Sequence, residues 1–372
     1  MIMHPDYDNS ILNVTATILK NYHAPSIYSS IQELDEALDN HPKHLILVLL
    51  DGMGINIINR YLQPDDFLRK QVKKTITSVF PPTTVAATNA VLSGLPPYSS
   101  GYLGWVQYFK KEKTNQIVFL NQDFYDLSRK FDDILRDKYL RYPTLYEQIQ
   151  MHSPKVKTYE LFPSFRLNGF ETFEKQVDYA IELTHKDEEN FSYIYWTQPD
   201  FIQHDFGTES EHTEKILKSL NVQAERLSKE VGQDTIITII ADHGLTNVIG
   251  IDLFDDQEIM SLLRRKPSIE PRATNFFVKT FMKKNFKNVF NEKYGHEFIL
   301  HTKKELYASG LLGYGVKHPL LDDFIGDYVA ISIGNKMFNF KEHSAFLGHH
   351  AGLTKEEMEV PLIIFCKDKD NQ

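Results

Sequence analysis

Four short runs, in which apolar residues follow one another instead of alternating with polar ones, set the folding options of this chain. They are "HLILVLL" ending at Leu50, "FSYIYW" ending at Trp196, "TIITIIA" ending at Ala241 and "VPLIIFC" ending at Cys366. An alternating strand keeps one face wet, whereas a continuous run needs cover on both faces, as strands inside a parallel sheet have. Amphipathic helical patterns lie between the runs. "TEKILKSLNVQAERLSKEV" sets Ile216, Leu217, Leu220, Leu227 and Val231 near one stripe with charges opposite, and "TLYEQIQMHS" and "FEKQVDYAIELTHK" read the same way. Strands alternating with helices predict an α/β fold, a doubly wound, mostly parallel sheet flanked by helices.

The chain has 372 residues, long for one simple domain and suited to a large α/β core carrying a smaller insertion. The stretch after about Asp252 has a different texture, rich in Phe, Lys and Asp with short mixed patterns. "NFFVKTF", "HEFILHT" and "GDYVAISIG" predict strands and "TKKELYASG" a helix. The expected division is a core over 1–250 and 341–372 with an inserted small α+β cap over 251–340.

Charge and cysteine usage narrow the function classes. The formal net charge is −9, and basic residues occur only in scattered pairs such as Lys73-Lys74, Arg264-Arg265 and Lys283-Lys284. That distribution suits a solvated surface and argues against a nucleic acid duplex as partner. No apolar run approaches the length of roughly 18 residues that a membrane span needs. The N-terminus "MIMHPDYDNS" lacks a charged-then-apolar signal pattern, so the expected location is cytoplasmic. The single cysteine, Cys366, excludes an internal disulfide and is expected to be a buried small hydrophobe.

The residues directly after the apolar runs carry the chemistry. Asp51-Gly52 comes after the first, Pro199-Asp200 and then His204 after the second, and Asp242-His243-Gly244 after the third. Ligands of open parallel sheets bind at the carboxyl ends of the strands, so three carboxylates and two histidines are expected to converge at one edge. Each piece alone is an ordinary turn or cap, and Asp-x-x-x-His shares one helical face in many proteins. Together they form a cluster of like charges that calls for raised pKa values or for metal. Mixed Asp and His donors suit zinc, manganese or iron better than calcium. Five such groups exceed one tetrahedral ion with an open position, while two ions about 3.5–4 Å apart would use them all. A further stretch, "FPPTTVAATNAVLSGLPP", puts Thr83, Thr84 and Thr88 where a loop passes into a helix. A hydroxyl there faces free backbone N–H groups and the positive end of the helix dipole, which favour a bound phosphate and a developing alkoxide. On this reasoning alone each of the three is either a cap or a nucleophile.

"LLDGMG", "FPPTTVAATNAVLSGLPP", "QPDFIQHDFG", "ADHG" and "HHAGLTKEEMEVPLI" occur in this order, and together they resemble the alkaline phosphatase superfamily. The resemblance covers about residues 40 to 366 and is nearest to the nucleotide pyrophosphatase/phosphodiesterase branch, with phosphonoacetate hydrolase as a relative. It implies two metal ions, most simply Zn2+ with Mn2+ or Fe as alternatives. Asp200, His204 and His350 would hold one, and Asp51, Asp242, His243 and the nucleophile the other. "HAGLT" follows the family's late motif from His350, which selects His350 over His349. In the family the nucleophile stands nine residues before the Ser/Thr of a [ST]-G pair, and counting back from Ser93 gives Thr84. Thr83 is then a capping residue, and Thr88 bonds its own helix or packs.

The resemblance implies a small-molecule phosphate ester as substrate and hydrolysis of nucleotide-type diesters through a covalent phospho-threonine. The alternative is a phosphomonoesterase or phosphonoacetate-type phosphonate hydrolase built on the same site. One departure stands out. The family usually carries an Asn shortly after the nucleophile helix, donating to a phosphoryl oxygen, and here that segment reads "SSGYLGWVQYF", with Asn121 only later and outside the motif.

Overall fold

The computed structural model describes residues 2–340 and 346–367. Its central sheet has six strands in the spatial order Val72–Thr77, Glu359–Lys367, Thr235–Ile240, His44–Leu50, Asn190–Trp196 and Lys157–Leu161. His44–Leu50 lies in the middle, parallel to Thr235–Ile240 on one side and to Asn190–Trp196 on the other, and every residue of it is buried. The first three apolar runs are these three adjacent strands, which explains why none of them alternates. The fourth differs from expectation in direction. Glu359–Lys367 runs antiparallel to both of its neighbours. Its last residues leave the covered part of the sheet, so Cys366 is exposed rather than buried.

Helices cover both faces. Glu211–Glu230 buries Leu217, Leu220, Ala224 and Leu227, and Phe173–Thr184 packs beside it. Ile11–Asn21 packs against the helix Thr84–Ser93. Gly94 ends that second helix in the left-handed conformation, at φ 71°.

A second, seven-stranded sheet is antiparallel wherever its strands pair. Four of its strands, Ser268–Glu270, Ala273–Phe276, Phe298–Thr302 and Tyr328–Ser332, come from the segment expected to form a cap. The other three, Val106–Phe109, Thr114–Ile117 and Gln122–Asp123, come from just after the helix Thr84–Ser93. The second sheet is therefore not confined to 251–340. Ile269 pairs with Val106, which joins the two contributions. The helix Thr84–Ser93 sits between the sheets. Ala86, Ala87, Ala90 and Val91 belong to the hydrophobic cluster of the first, while Phe80 and Val85 belong to that of the second. Residues close together in sequence, in the helix and just before it, thus fix its entrance relative to both layers.

Candidate functional site

Asp51, Asp200 and Asp242 each lie just past the end of a central strand, and the three strands are neighbours. Gly52 makes the close approach possible. It has φ +74°, and a Cβ there would lie 2.8 Å from both Cα and Cβ of Asp200. Asp200 opens the helix Asp200–Phe206, which carries His204 one turn on, with His204 Nε2 3.4 Å from Asp200 Oδ2. His350 reaches the same carboxylate from the far end of the chain, Nε2 lying 3.8 Å from Asp200 Oδ1. Donor atoms of Asp200, His204 and His350 lie mutually within 4.8 Å, and so do those of Asp51, Asp200 and His243. Asp242 adjoins the second group, with Oδ2 3.4 Å from His243 Nε2. The two groups share Asp200 and touch through the stacked rings of His243 and His350, whose centroids are 3.8 Å apart.

Each imidazole is held by its other nitrogen. Nδ1 of His204 meets the Gly348 carbonyl at 2.8 Å, that of His350 the Pro82 carbonyl at 3.1 Å, and that of His243 the Gly244 carbonyl at 3.2 Å. Nδ1–H donation to a carbonyl leaves Nε2 as a lone-pair donor aimed inward, the usual arrangement of a ligating histidine. His349 differs: its Nδ1 is engaged with the backbone of His350.

Electrostatically the cluster gathers three buried carboxylates. Burial, then the charges of Asp242 and Asp200, push the Asp51 carboxyl well above the usual range. Burial also raises Asp242, against the pull of His243. For Asp200, burial is outweighed by His204, His243 and His349, which hold it below the ordinary value. Burial and the neighbouring imidazoles push His350 and His349 well down, towards the neutral form in which a ring nitrogen binds metal. Oδ1 of Asp200 and Oδ2 of Asp242 are buried without a hydrogen-bond partner. An unpaired buried carboxylate oxygen is costly, and a divalent cation between these groups would satisfy both atoms. The donor set therefore fits metal.

The three threonines part company. Thr84 is the first residue of its helix, with Oγ1 3.4 Å from Asp51 Oδ1 and 3.2 Å from His243 Nε2. Thr88 donates to the carbonyl of Thr84, one turn back. Thr83 stands at the N-cap position, yet its side chain caps nothing. It donates instead to Oε1 of Glu270, at 2.7 Å. Asn121 lies in a turn of the second sheet, accepting from Gln116 and from the Leu135 N–H.

Residues 45–351 match the family model described as type I phosphodiesterase / nucleotide pyrophosphatase. The chain belongs to that family. Among solved structures, murine ectonucleotide pyrophosphatase/phosphodiesterase 5 is similar with a TM-score of 0.64 at 17% identity, covering 87% of this chain and 89% of that one. An inactive threonine-to-alanine variant of the murine protein in complex with AMP gives 0.63 at 16% identity, with 87% and 89% covered. The human protein 5 gives 0.60 at 14% identity, with 87% of each chain covered. At these identities the likeness is one of fold, and that fold is the alkaline phosphatase-like α/β architecture.

In this member of the type I phosphodiesterase / nucleotide pyrophosphatase family, two side chains at the site have no motif to announce them. Tyr195, inside the run "FSYIYW", donates its hydroxyl to Asp51 Oδ2. Glu270, in the second sheet, accepts from Thr83 and from the N–H of Trp105 at 2.6 Å. For Tyr195 the only signal was its place one residue before the end of a core strand. For Glu270 there was none. No helix among the described residues is long and apolar enough to cross a membrane.

Proposed function

We propose that this protein is a metal-dependent phosphodiesterase of the nucleotide pyrophosphatase type, hydrolysing small-molecule phosphate diesters through a covalent ester on Thr84. The observation that carries this reading is the position of the Thr84 hydroxyl, 3.4 Å from Asp51 Oδ1 and 3.2 Å from His243 Nε2 at the first turn of a helix. Family membership, and the similarity to a murine protein solved with AMP, support a nucleotide-type ester as substrate.

Asp51, Asp242, His243 and Thr84 would hold one divalent ion and Asp200, His204 and His350 the other, with Zn2+ the best match to the mixed donors and Mn2+ or Fe as alternatives. Such ions, when bound, neutralise the phosphoryl oxygens and lower the pKa of a coordinated hydroxyl. The chain's own residues do the rest. The free N–H groups at the start of Thr84–Ser93 face the phosphoryl oxygens. Thr84 Oγ1 attacks phosphorus in line, forming the Oγ1–P bond as the bond from phosphorus to the leaving oxygen breaks. The proton lost from Thr84 ends on the departing alcohol by way of water. A water then adds to phosphorus, the Oγ1–P bond breaks, and Thr84 recovers its proton. Asp51 and His243 flank Thr84 Oγ1 and position it for the attack.

The test is a single-turnover reaction of denaturant-quenched protein with a radiolabelled or chromogenic diester. Label retained on the tryptic peptide containing Thr84 in the wild type, and absent from Thr84→Ala, is expected. A wild-type-like rate in Thr84→Ala would overturn the assignment.

A further inference from the structure

Glu270 is a buried acid without a cation. It ends the strand Ser268–Glu270, is 3% exposed, and forms no ion pair among the described residues. Arg272, two positions on, is engaged by Glu357 instead. Oε1 of Glu270 accepts from the Thr83 hydroxyl and from the Trp105 N–H. The backbone before Trp105 is pressed against the same side chain, since a Cβ at Gly104 would lie 2.9 Å from Glu270 Cγ. This is the segment in which the family's Asn is expected, and here it presents its backbone to a carboxyl group. Thr83 is bonded directly to Thr84, whose hydroxyl faces Asp51 and His243, so the carboxyl stands beside the candidate metal site.

We infer that Glu270 sets the charge selectivity of the phosphoryl site: its carboxylate, bonded to the residue next to Thr84, disfavours a phosphoryl group with two negative charges and so favours diesters over monoesters. The inference rests on the proposed hydrolysis at Thr84. A like charge in a buried setting is screened weakly, and each extra unit of substrate charge is disfavoured by about tenfold. Burial pushes the carboxyl up to about 7, against the two hydrogen bonds that favour ionisation, so it is charged in mildly alkaline solution.

Glu270→Gln removes the charge and keeps an acceptor for Thr83 and Trp105, whereas Glu270→Ala removes both. The metal-supplemented full chain is assayed at about pH 8.5, where the carboxyl is ionised, on p-nitrophenyl phosphate and bis-p-nitrophenyl phosphate. Inorganic phosphate is titrated calorimetrically in parallel, which needs no turnover. In Glu270→Gln the monoester-to-diester ratio of kcat/KM is expected to rise by about tenfold, with phosphate bound about tenfold tighter. Glu270→Ala is expected to raise the same ratio while slowing both reactions. An unchanged ratio with unchanged phosphate affinity in Glu270→Gln overturns the inference, as does a Glu270→Ala variant that loses both activities in equal proportion. If the wild type hydrolyses neither ester, the proposed reaction fails, and the phosphate titration alone decides the role of Glu270.

Discussion

The hydroxyl of Tyr195 donates to Oδ2 of Asp51 across two neighbouring strands, which leaves Oδ1 of the same carboxylate 3.4 Å from the Thr84 hydroxyl. One oxygen is thus held by the sheet and the other is turned to the site. Tyr195 is buried in the process, and burial followed by the Asp51 and Asp242 charges raises its phenol well above the ordinary value, so it stays a donor. Tyr195→Phe removes that hold without changing shape. Metal affinity at this position is expected to fall by about 10- to 100-fold, as for other partners of ligating groups. Competition titration against a chromogenic chelator reads it directly.

Thr84→Ala and Thr83→Ala should behave differently although the residues are adjacent. The first is expected to keep its metal content and lose turnover by at least about a thousandfold, as removal of a nucleophile does. The second leaves a buried carboxylate short of one hydrogen bond and is expected to lower stability by about 1–3 kcal/mol, with catalysis surviving. Steady-state kinetics and urea denaturation of both variants separate the roles.

Protein purified without chelator should hold close to two transition ions per chain by elemental analysis. Chelation is expected to abolish ester hydrolysis, and Zn2+ or Mn2+ to restore it. Full activity in metal-free protein would contradict the proposed chemistry. Removing the ions also leaves the unpaired oxygens of Asp200 and Asp242 buried, so the thermal midpoint should drop.

Arg272 and Glu357 form a bidentate pair, both contacts at 2.7 Å, with neither side chain exposed. Glu357 also accepts from the N–H groups of Gly352 and Thr354, pinning the turn after His350. Arg272→Met strands the carboxylate and is expected to cost about 3–5 kcal/mol, the range for a broken buried pair. Denaturant unfolding measures the loss. Activity should fall with it, since the same turn positions His350.

Glu270 gives a pH dependence of stability in chelator-treated protein. Its carboxyl rises from 4.5 to about 7 on folding, chiefly through burial. A raised folded value means the stabilising contribution of the neutral acid is complete below 4.5 and lost as pH climbs to about 7. Relative to Glu270→Gln, the wild type should lose on the order of 3 kcal/mol between about pH 5 and about pH 8. Parallel urea titrations at those two pH values test it, and a constant difference between the two proteins would count against the burial argument.

The residues next to each strand end were legible in the chain itself. Continuous apolar runs require a doubly covered sheet, and polar residues placed directly after such runs must emerge at its edge, so Asp51, Asp200, His204, Asp242 and His243 group together on sequence alone. Strand direction was not legible in the same way. A covered antiparallel strand has the same apolar content as a parallel one, which is why the direction of Glu359–Lys367 and the exposure of Cys366 depart from expectation. In the sequence, only motif spacing singles out His350 and Thr84. Their closeness to the other residues depends on where the helix Thr84–Ser93 is wedged between two sheets. The second sheet, assembled from segments about 150 residues apart, was beyond local pattern because strand pairing is set by packing partners and not by either segment alone. Its consequence, the meeting of Glu270 with Thr83 and Trp105, is therefore wholly tertiary. Local sequence determined which groups carry the chemistry, and long-range packing decided how their charges face one another.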